Sequence, residues 1–398
     1  MKRKKSVYEQ RGVSATKKDI HHAIRNLEKG LFPGAFCKIL PDVLAESPRH
    51  CNILHADTAG TKSGLAALAW MRSGDARVVR GVAVDALVMN LDDVACVGAT
   101  SRFLVNQTLG RNAHLIPGEV VEQVIDSANE LCKMLNNIGI GITCAFAGGE
   151  TASVGDIVRT MDVGSSVVTR MLRKDVIDAS NIGPMDIIVG ISSTGQATWE
   201  TEENSGIGSN GLTNGRHDTL CPFYRRYKET FAPQTKSQLI YRGRFRLSDK
   251  LPGDPRFTVE KALLSPTRTY LPLVNVVLKE IPRRHITGII HCSGGGQTKC
   301  ANFGKRLRYV KHTPFKIPAL FKMLQKASGL SWHEMYQVYN MGWRFEFVVK
   351  DKKIADDIIA LAKICNLEAQ IVGEVRPKLG PGPNKVEIHS STDILQYP

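Results

Sequence analysis

Ile140-Gly141-Ile142-Thr143-Cys144-Ala145-Phe146 runs directly into Ala147-Gly148-Gly149-Glu150-Thr151-Ala152. The run from Ile140 to Phe146 is apolar and reads as a buried strand. Two glycines follow, which let backbone approach a ligand closely, and a carboxylate and a hydroxyl come at once after them. Such a strand end is a candidate edge for a phosphate or metal site. The competing reading is a plain glycine turn with an exposed Glu.

Other segments extend the pattern. Val78 to Asp85 reads as a second strand. Pro117 sits at a helix start, and Val120, Val124, Ala128, Leu131 and Leu135 recur at helical spacing behind it. Val167 to Thr169, Asp186 to Ser192, Arg344 to Val349 and Gln370 to Val375 read as strands, with an amphipathic helix over Ile354 to Cys365. The chain is therefore mixed α/β (α+β). Asn181-Ile182-Gly183-Pro184 is a turn cluster and the best domain boundary. Residues 214 to 262, rich in Arg, Lys and Pro without an apolar period, are expected on the surface. The stretch after Lys378, with Gly380-Pro381-Gly382-Pro383, is expected to be irregular.

The chain has 398 residues, enough for two or three domains, and 42% hydrophobic and 23% charged residues, as in globular proteins. No apolar run approaches a membrane span. Met1-Lys2-Arg3-Lys4-Lys5 is basic, but no apolar stretch follows, so it does not read as a secretory signal. The nine cysteines are scattered without a C-x-x-C pair, which argues against a disulfide framework and for a reducing, cytoplasmic setting. The net charge of +15 gathers in Arg225-Arg226-Tyr227-Lys228, Arg242 to Arg246 and Lys305 to Arg308. No nucleic-acid-binding module accompanies these clusters, so a general surface charge is favoured over nucleic-acid binding.

Several polar residues stand near predicted strand ends. Asp57, Asp92, Asp93 and Glu150 are of the type that holds Mg²⁺, or else cap turns. Lys62, in Gly60-Thr61-Lys62, offers a point charge to phosphates, although the segment lacks Walker A glycine spacing. Ser192-Ser193-Thr194-Gly195 follows a strand and offers hydroxyls and backbone N–H groups to an anion. Gly294-Gly295-Gly296 follows the strand Ile286 to Cys292 and is a second phosphate candidate.

The ordered series His55-Ala56-Asp57-Thr58-Ala59-Gly60-Thr61-Lys62, Val82 to Asp93, Phe146 to Ala152, Gly206 to Thr213, Leu263 to Tyr270, His291 to Gly296 and His333-Glu334-Met335-Tyr336 resembles the phosphoribosylformylglycinamidine cyclo-ligase (aminoimidazole ribonucleotide synthetase) family. The resemblance implies two α/β domains, over 1–180 and 181–398, the latter with an insertion at about 214–262. Its N-terminal sheet would form a barrel-like dimer core, and its C-terminal sheet would be covered by helices. It implies an ATP- and Mg²⁺-dependent ligase of purine biosynthesis acting on formylglycinamidine ribonucleotide, as a homodimer. By the same resemblance Asp57, Asp93 and Glu150 serve the metal. Gly60, Thr61, Lys62, Asp93, Gly148, Gly149, Ser192 and Ser193 serve the nucleotide. Ser209, Asn210, Gly294, Gly295 and Gly296 serve the substrate, and His291 and Lys62 the chemistry. Thr267 and Arg268 and the His333 segment match the family without a catalytic role.

The chain also departs from the family pattern. Thr58 replaces a Gly and Asp92 an Asn. Gln297-Thr298-Lys299 replace aromatic and acidic residues. Residues 196 to 205 intervene after the serine turn, and Gly208 takes the place of a histidine for which His217 could substitute. The nucleotide loop, Lys29 to Phe36, keeps only two glycines. The alternatives are another ATP-using enzyme, a small-molecule kinase or selenophosphate-type synthetase, and a non-catalytic nucleic-acid-binding or regulatory relative.

Overall fold

The computed structural model describes residues 7–13, 22–390 and 393–398. Strands β1 (Leu40–Pro41), β2 (His50–Thr58), β3 (Phe103–Arg111), β4 (Cys144–Ser153) and β5 (Met161–Leu172) form the first sheet, in the order β1-β2-β5-β3-β4. β3 and β4 run parallel. The Gly118–Asn137 helix joins them, as a parallel pair requires. Phe103, Val105, Gln107 and Leu109 alternate inward along β3. They face a helix layer made by Lys62–Ser73, Arg80–Ala95 and Gly118–Asn137. The opposite sheet face is open and carries Leu54 at 62% and Leu104 at 56% exposure. The sheet does not close into a barrel within this chain.

Strands β6 (Ile187–Ser192), β9 (Ile286–His291), β10 (Leu307–Lys311), β11 (Trp343–Val349), β12 (Ala369–Pro377), β13 (Lys385–His389) and β14 (Ile394–Tyr397) form the second sheet, and β7 (Thr194–Gly195) pairs with β8 (Asn204–Ser205). β11 is buried along its whole length and both faces are covered by helices. Phe345, Phe347 and Val349 join the Leu271–Glu280 and Lys352–Ile364 helices in a core shared with the first sheet's helices. Trp343 and Val348 face the other way, toward the Ala319–Ser328 and Trp332–Val338 helices. Among the described residues no helix is long and apolar enough to cross a membrane.

Four expectations need correction. Val78 to Asp85 is not a strand: a 3-10 turn, Ala76–Val79, leads into the Arg80–Ala95 helix. That helix is buried nearly all round, so its sequence shows no polar stripe to betray it. Asp75 caps the turn by accepting from the Arg77 N–H at 3.0 Å. The strand placed at Ile140 starts instead at Cys144 and continues through Gly148-Gly149-Glu150. The glycines form a bulge, with a register shift between Val105 and Gln107. A Cβ at Gly149 would run into the Gln107 carbonyl, so only glycine fits there.

The stretch after Lys378 is ordered into β13, parallel to β10, and β14. Residues 214 to 262 are not a surface insertion. Tyr224, Tyr241, Leu247, Leu251, Phe257 and Val259 are buried in the second core. They meet through turns and short 3-10 segments, which leave no period in the sequence.

Candidate functional site

The Arg80–Ala95 helix and the end of β9 bring together two residues 198 positions apart: Asp93 Oδ1 lies 2.7 Å from His291 Nδ1. His291 is fully buried, and its Nε2 has no partner among the described residues. The other Asp93 oxygen stands 3.5 Å from His55 Nε2, on β2. His55 Nδ1 in turn lies 2.8 Å from Asn90 Oδ1, and the Asn90 amide donates to the Ser165 hydroxyl at 2.7 Å. The carboxylate is thus held between two imidazoles, anchored to β5 through Asn90. Burial, with the nearby Asp93 charge adding to it, pushes the Cys96 thiol well up, so that cysteine packs as a neutral group.

Thr61, exposed at the start of the Lys62–Ser73 helix, shares a 2.8 Å hydrogen bond with the Thr213 hydroxyl. That contact places Gly60 and Thr61 next to the Gly208–Thr213 loop. A Cβ at Gly294 would lie 3.6 Å from the Asn210 amide nitrogen, so the Gly294–Gly296 turn lies beside that loop. Gly296 N–H is used by Ser293 O at 3.0 Å, whereas Gly294 and Gly295 N–H have no partner among the described residues. The structure therefore gathers Gly60, Thr61, Asp93, Ser209, Asn210, Gly294, Gly295 and His291 into one region.

It does not gather the rest. Lys62 is in the interior, with its ammonium 3.0 Å from Asp85 and 2.5 Å from Ser265 O. Burial lowers its pKa, and Asp85 opposes that. Thr267 also donates to Asp85, from its N–H at 2.8 Å and its hydroxyl at 2.5 Å. Lys62 is thus committed to an internal network and does not reach out to phosphate.

Asp92 is fully buried and accepts from the Thr269 hydroxyl at 2.7 Å and the Tyr270 N–H at 3.0 Å, fixing the start of the Leu271–Glu280 helix. Ser192 is buried, its carbonyl taken by Arg268 and by Tyr270 at 3.0 Å. Ser193 donates its hydroxyl to Asn340 at 3.0 Å and its N–H to Gly342 O at 2.9 Å. Neither serine keeps a group for an anion.

The three metal candidates diverge. Asp57 pairs across the sheet with Ser165, which pairs with Gln107, which pairs with Gly149. Glu150 belongs to the next row, with Thr108, Gly164 and Thr58. Side chains of adjacent rows point to opposite faces, so Glu150 and Gly148 lie on the far edge strand, away from Asp57 and Asp93. Asp57 is exposed, and its Oδ1 accepts from the Thr58 N–H at 2.7 Å. Among the described residues no group of three or more His, Cys, Asp or Glu side chains is placed to hold a metal ion.

The substitute histidine, His217, is packed against Tyr241 at 4.7 Å between ring centroids and is part of the core. His333 stacks on Tyr397 at 4.1 Å, in a helix closed by the Ser331–Glu334 capping box. The segment expected to be the nucleotide loop packs against the turn before β10, with Phe36 stacked on Phe303 at 5.3 Å.

The comparisons with known proteins bear on this arrangement. Residues 41–171 match the family described as AIR synthase related protein, N-terminal domain. The phosphoribosylformylglycinamidine cyclo-ligase of Methanocaldococcus jannaschii is 28% identical to the chain over 308 residues, 77% of this chain and 74% of the relative. The enzyme of that name from Thermoplasma acidophilum is 26% identical over 305 residues, 77% and 76% of the two chains.

Among solved structures, Thermotoga maritima PurL complexed with FGAR superposes with a TM-score of 0.55 at 14% identity, over 97% of this chain and 50% of that one. The chain thus spans half the length of that PurL. A protein from Thermus thermophilus superposes at 0.51 and 16% identity, over 93% and 96% of the two chains. These likenesses are of fold, and they run through both sheets.

Sequence reasoning missed His55, Asp85 and Arg344. Asp85 left a signal, since a carboxylate inside an apolar run must be paired when buried. The other two left none.

Proposed function

We propose that the chain is an ATP-dependent cyclo-ligase that closes formylglycinamidine ribonucleotide to aminoimidazole ribonucleotide in purine biosynthesis. The observation that carries this reading is the 2.7 Å Asp93–His291 contact, which ties the AIR-synthase-related domain to the Gly294–Gly295 turn of the second sheet. The similarity to enzymes named phosphoribosylformylglycinamidine cyclo-ligase runs through both sides of that contact.

In the reaction ATP phosphorylates the formyl amide oxygen, the amidine nitrogen attacks that carbon, and phosphate leaves. Gly60 and Thr61 at the helix start and the free N–H groups of Gly294 and Gly295 suit phosphate oxygens. Asn210 and Ser209 lie where a ribonucleotide would be clamped, which supplies proximity. Asp93 fixes the His291 ring through Nδ1 and leaves Nε2 to hold or pass a proton. Asp57, exposed and with only Oδ1 engaged by the Thr58 N–H, would be the residue to hold Mg²⁺, which would supply charge neutralisation to the triphosphate.

The outer face of the first sheet, with exposed Leu54 and Leu104, fits a homodimer interface. Nine free cysteines, eight of them buried, fit a reducing cytoplasm. The test is to incubate the protein with ATP, Mg²⁺ and formylglycinamidine ribonucleotide and to quantify ADP and aminoimidazole ribonucleotide. Equal amounts of both are expected. ADP without the imidazole would make it a kinase, and neither product would defeat the reading.

A further inference from the structure

Arg344, at the start of β11, is 2% exposed and forms no ion pair with any carboxylate among the described residues. Its Nη2 donates to Arg268 O at 2.5 Å. Its Nε is buried with no acceptor. Among the described residues Nη1 has no hydrogen-bond partner, and a Cβ added at Gly208 would sit 3.0 Å from it. The guanidinium therefore occupies the space that a side chain at position 208 would need. The Tyr270 ring face, 5.7 Å from the guanidinium carbon, offers it a cation–π contact but no counter-charge. The Lys62 ammonium, within electrostatic range, is already held by Asp85 at 3.0 Å. Asp92 lies within electrostatic range but turns both oxygens to the Thr269 hydroxyl and the Tyr270 N–H.

An unpaired buried charge is costly and persists where something repays it. We propose that Arg344 is the anchor of an oxyanion subsite between Gly208–Asn210 and Gly294–Gly295, and that its ligand is a phosphoryl group. Gly208 is small so that the guanidinium can reach this subsite. The free Gly294 and Gly295 N–H groups and the Asn210 amide complete the donor set. The phosphoryl group comes from a ribonucleotide monoester, a nucleoside polyphosphate or free phosphate, which share this chemistry. The inference deepens the cyclo-ligase reading by assigning the residue that grips phosphate, but its test does not depend on turnover.

The experiment measures binding of inorganic phosphate, AMP and ADP by calorimetry to wild type, Arg344→Met, Arg344→Lys and Gly208→Ala, with melting temperatures alongside. A charge-assisted hydrogen bond lost to Met weakens the preferred ligand by about tenfold or more. Lys keeps the charge without the planar fork and falls between. Ala at 208 displaces Nη1 without removing it and also weakens binding. Met relieves an unpaired charge, so its unliganded protein melts no lower than wild type.

A preference for AMP over ADP identifies the monoester as the source, the reverse a polyphosphate, and phosphate binding alone an inorganic ligand. Equal affinity of wild type and Arg344→Met for all three, or no binding by wild type, overturns the proposal. So does an Arg344→Met protein destabilised before any ligand is added, which would make Arg344 a structural residue. Binding through Arg344 without formation of the imidazole would instead overturn the cyclo-ligase reading alone.

Discussion

Lowering the pH from 7 to 5 should remove about 2 kcal/mol of stability through one residue, His217. Its ring lies within the Leu212–Thr219 helix, 4.7 Å from Tyr241 and 6.4 Å from Phe231 between centroids. Burial, then the charges of Arg216 and Arg11, pushes its pKa down to about 2. The unfolded chain titrates near 6.5, as a free histidine does (~6.5). Above that pH both states are neutral and the full stability is present. Below it the unfolded chain binds a proton that the folded protein refuses until about 2, so stability falls as pH falls.

The slope is about 1.4 kcal/mol per pH unit once well below 6.5, which gives the ~2 kcal/mol between pH 7 and 5. Urea unfolding by circular dichroism at both pH values, on wild type and His217→Gln, isolates the effect. Carboxylates and other histidines contribute equally to both proteins and cancel in the difference. Wild type should lose about 2 kcal/mol more than the variant. Identical pH dependence in the two proteins would show that the 214–262 segment does not bury this ring in solution.

Other perturbations test the remaining assignments. His291→Gln should lower turnover by about 10²-fold or more while ADP affinity holds, and Asp93→Asn should follow it because the ring loses its acceptor; normal turnover in either would return the pair to a packing role. Leu104→Glu, on the open sheet face, should convert a dimer into a monomer by light scattering, and an unchanged mass would place any interface elsewhere. Deleting 222–258 should yield aggregated protein, since it removes Tyr224, Tyr241 and Phe257 from the core; a soluble, cooperatively melting product would contradict the packing. Lys311 is fully buried with its ammonium 2.6 Å from Glu346 and 2.8 Å from Gln297 O, so Lys311→Met should cost about 3–5 kcal/mol in urea, and Lys311→Met with Glu346→Leu should recover most of it.

The strands and helices that face one way were legible. The Gly118–Asn137 helix shows Val120, Val124, Ala128, Leu131 and Leu135 on one side because its other side meets water. Elements buried all round were not. The Arg80–Ala95 helix hides Asp85, Asn90, Asp92 and Asp93 among apolar residues, and an apolar run of that kind fits a strand equally well. At the site, the motifs named the right segments but not the role of each side chain. Asp93 and His291 were each visible, yet their 2.7 Å contact is a product of tertiary packing. Lys62 read as a phosphate clamp because its partner Asp85, 23 residues away, carried no local sign of facing it. Arg344 read as one more strand residue, since nothing local marks a guanidinium that will lack a counter-charge.

The basic surplus of +15 does not need a polyanionic partner to explain it. Several arginines are engaged inside the segments that the cyclo-ligase resemblance leaves unmatched. Arg11 reaches Asp218 at 2.6 Å and Leu239 O at 2.8 Å. Arg216 caps Thr230 O at 2.6 Å, and the Arg226 guanidinium lies 3.8 Å over the Phe223 ring. Arg242 adds a second contact to Asp218 at 2.7 Å. These contacts lock the Leu212–Thr219 helix from behind.

On its other flank, Asn204 donates to Pro266 O at 2.7 Å, and Asn340 donates to Gly206 O at 2.8 Å. The Arg268–Glu200 pair, at 2.5 Å, joins residues 196–205 to the same strand ends. The loop that carries Gly208, Ser209 and Asn210 is therefore held at both ends by contacts that draw on the unmatched segments. A loop fixed in this way keeps a glycine beside Arg344 without collapsing onto it. Two of the chain's departures from the family pattern, Gly208 and the unmatched segments, thus act at one place in the fold, and a change in either segment should be felt first at the phosphoryl subsite.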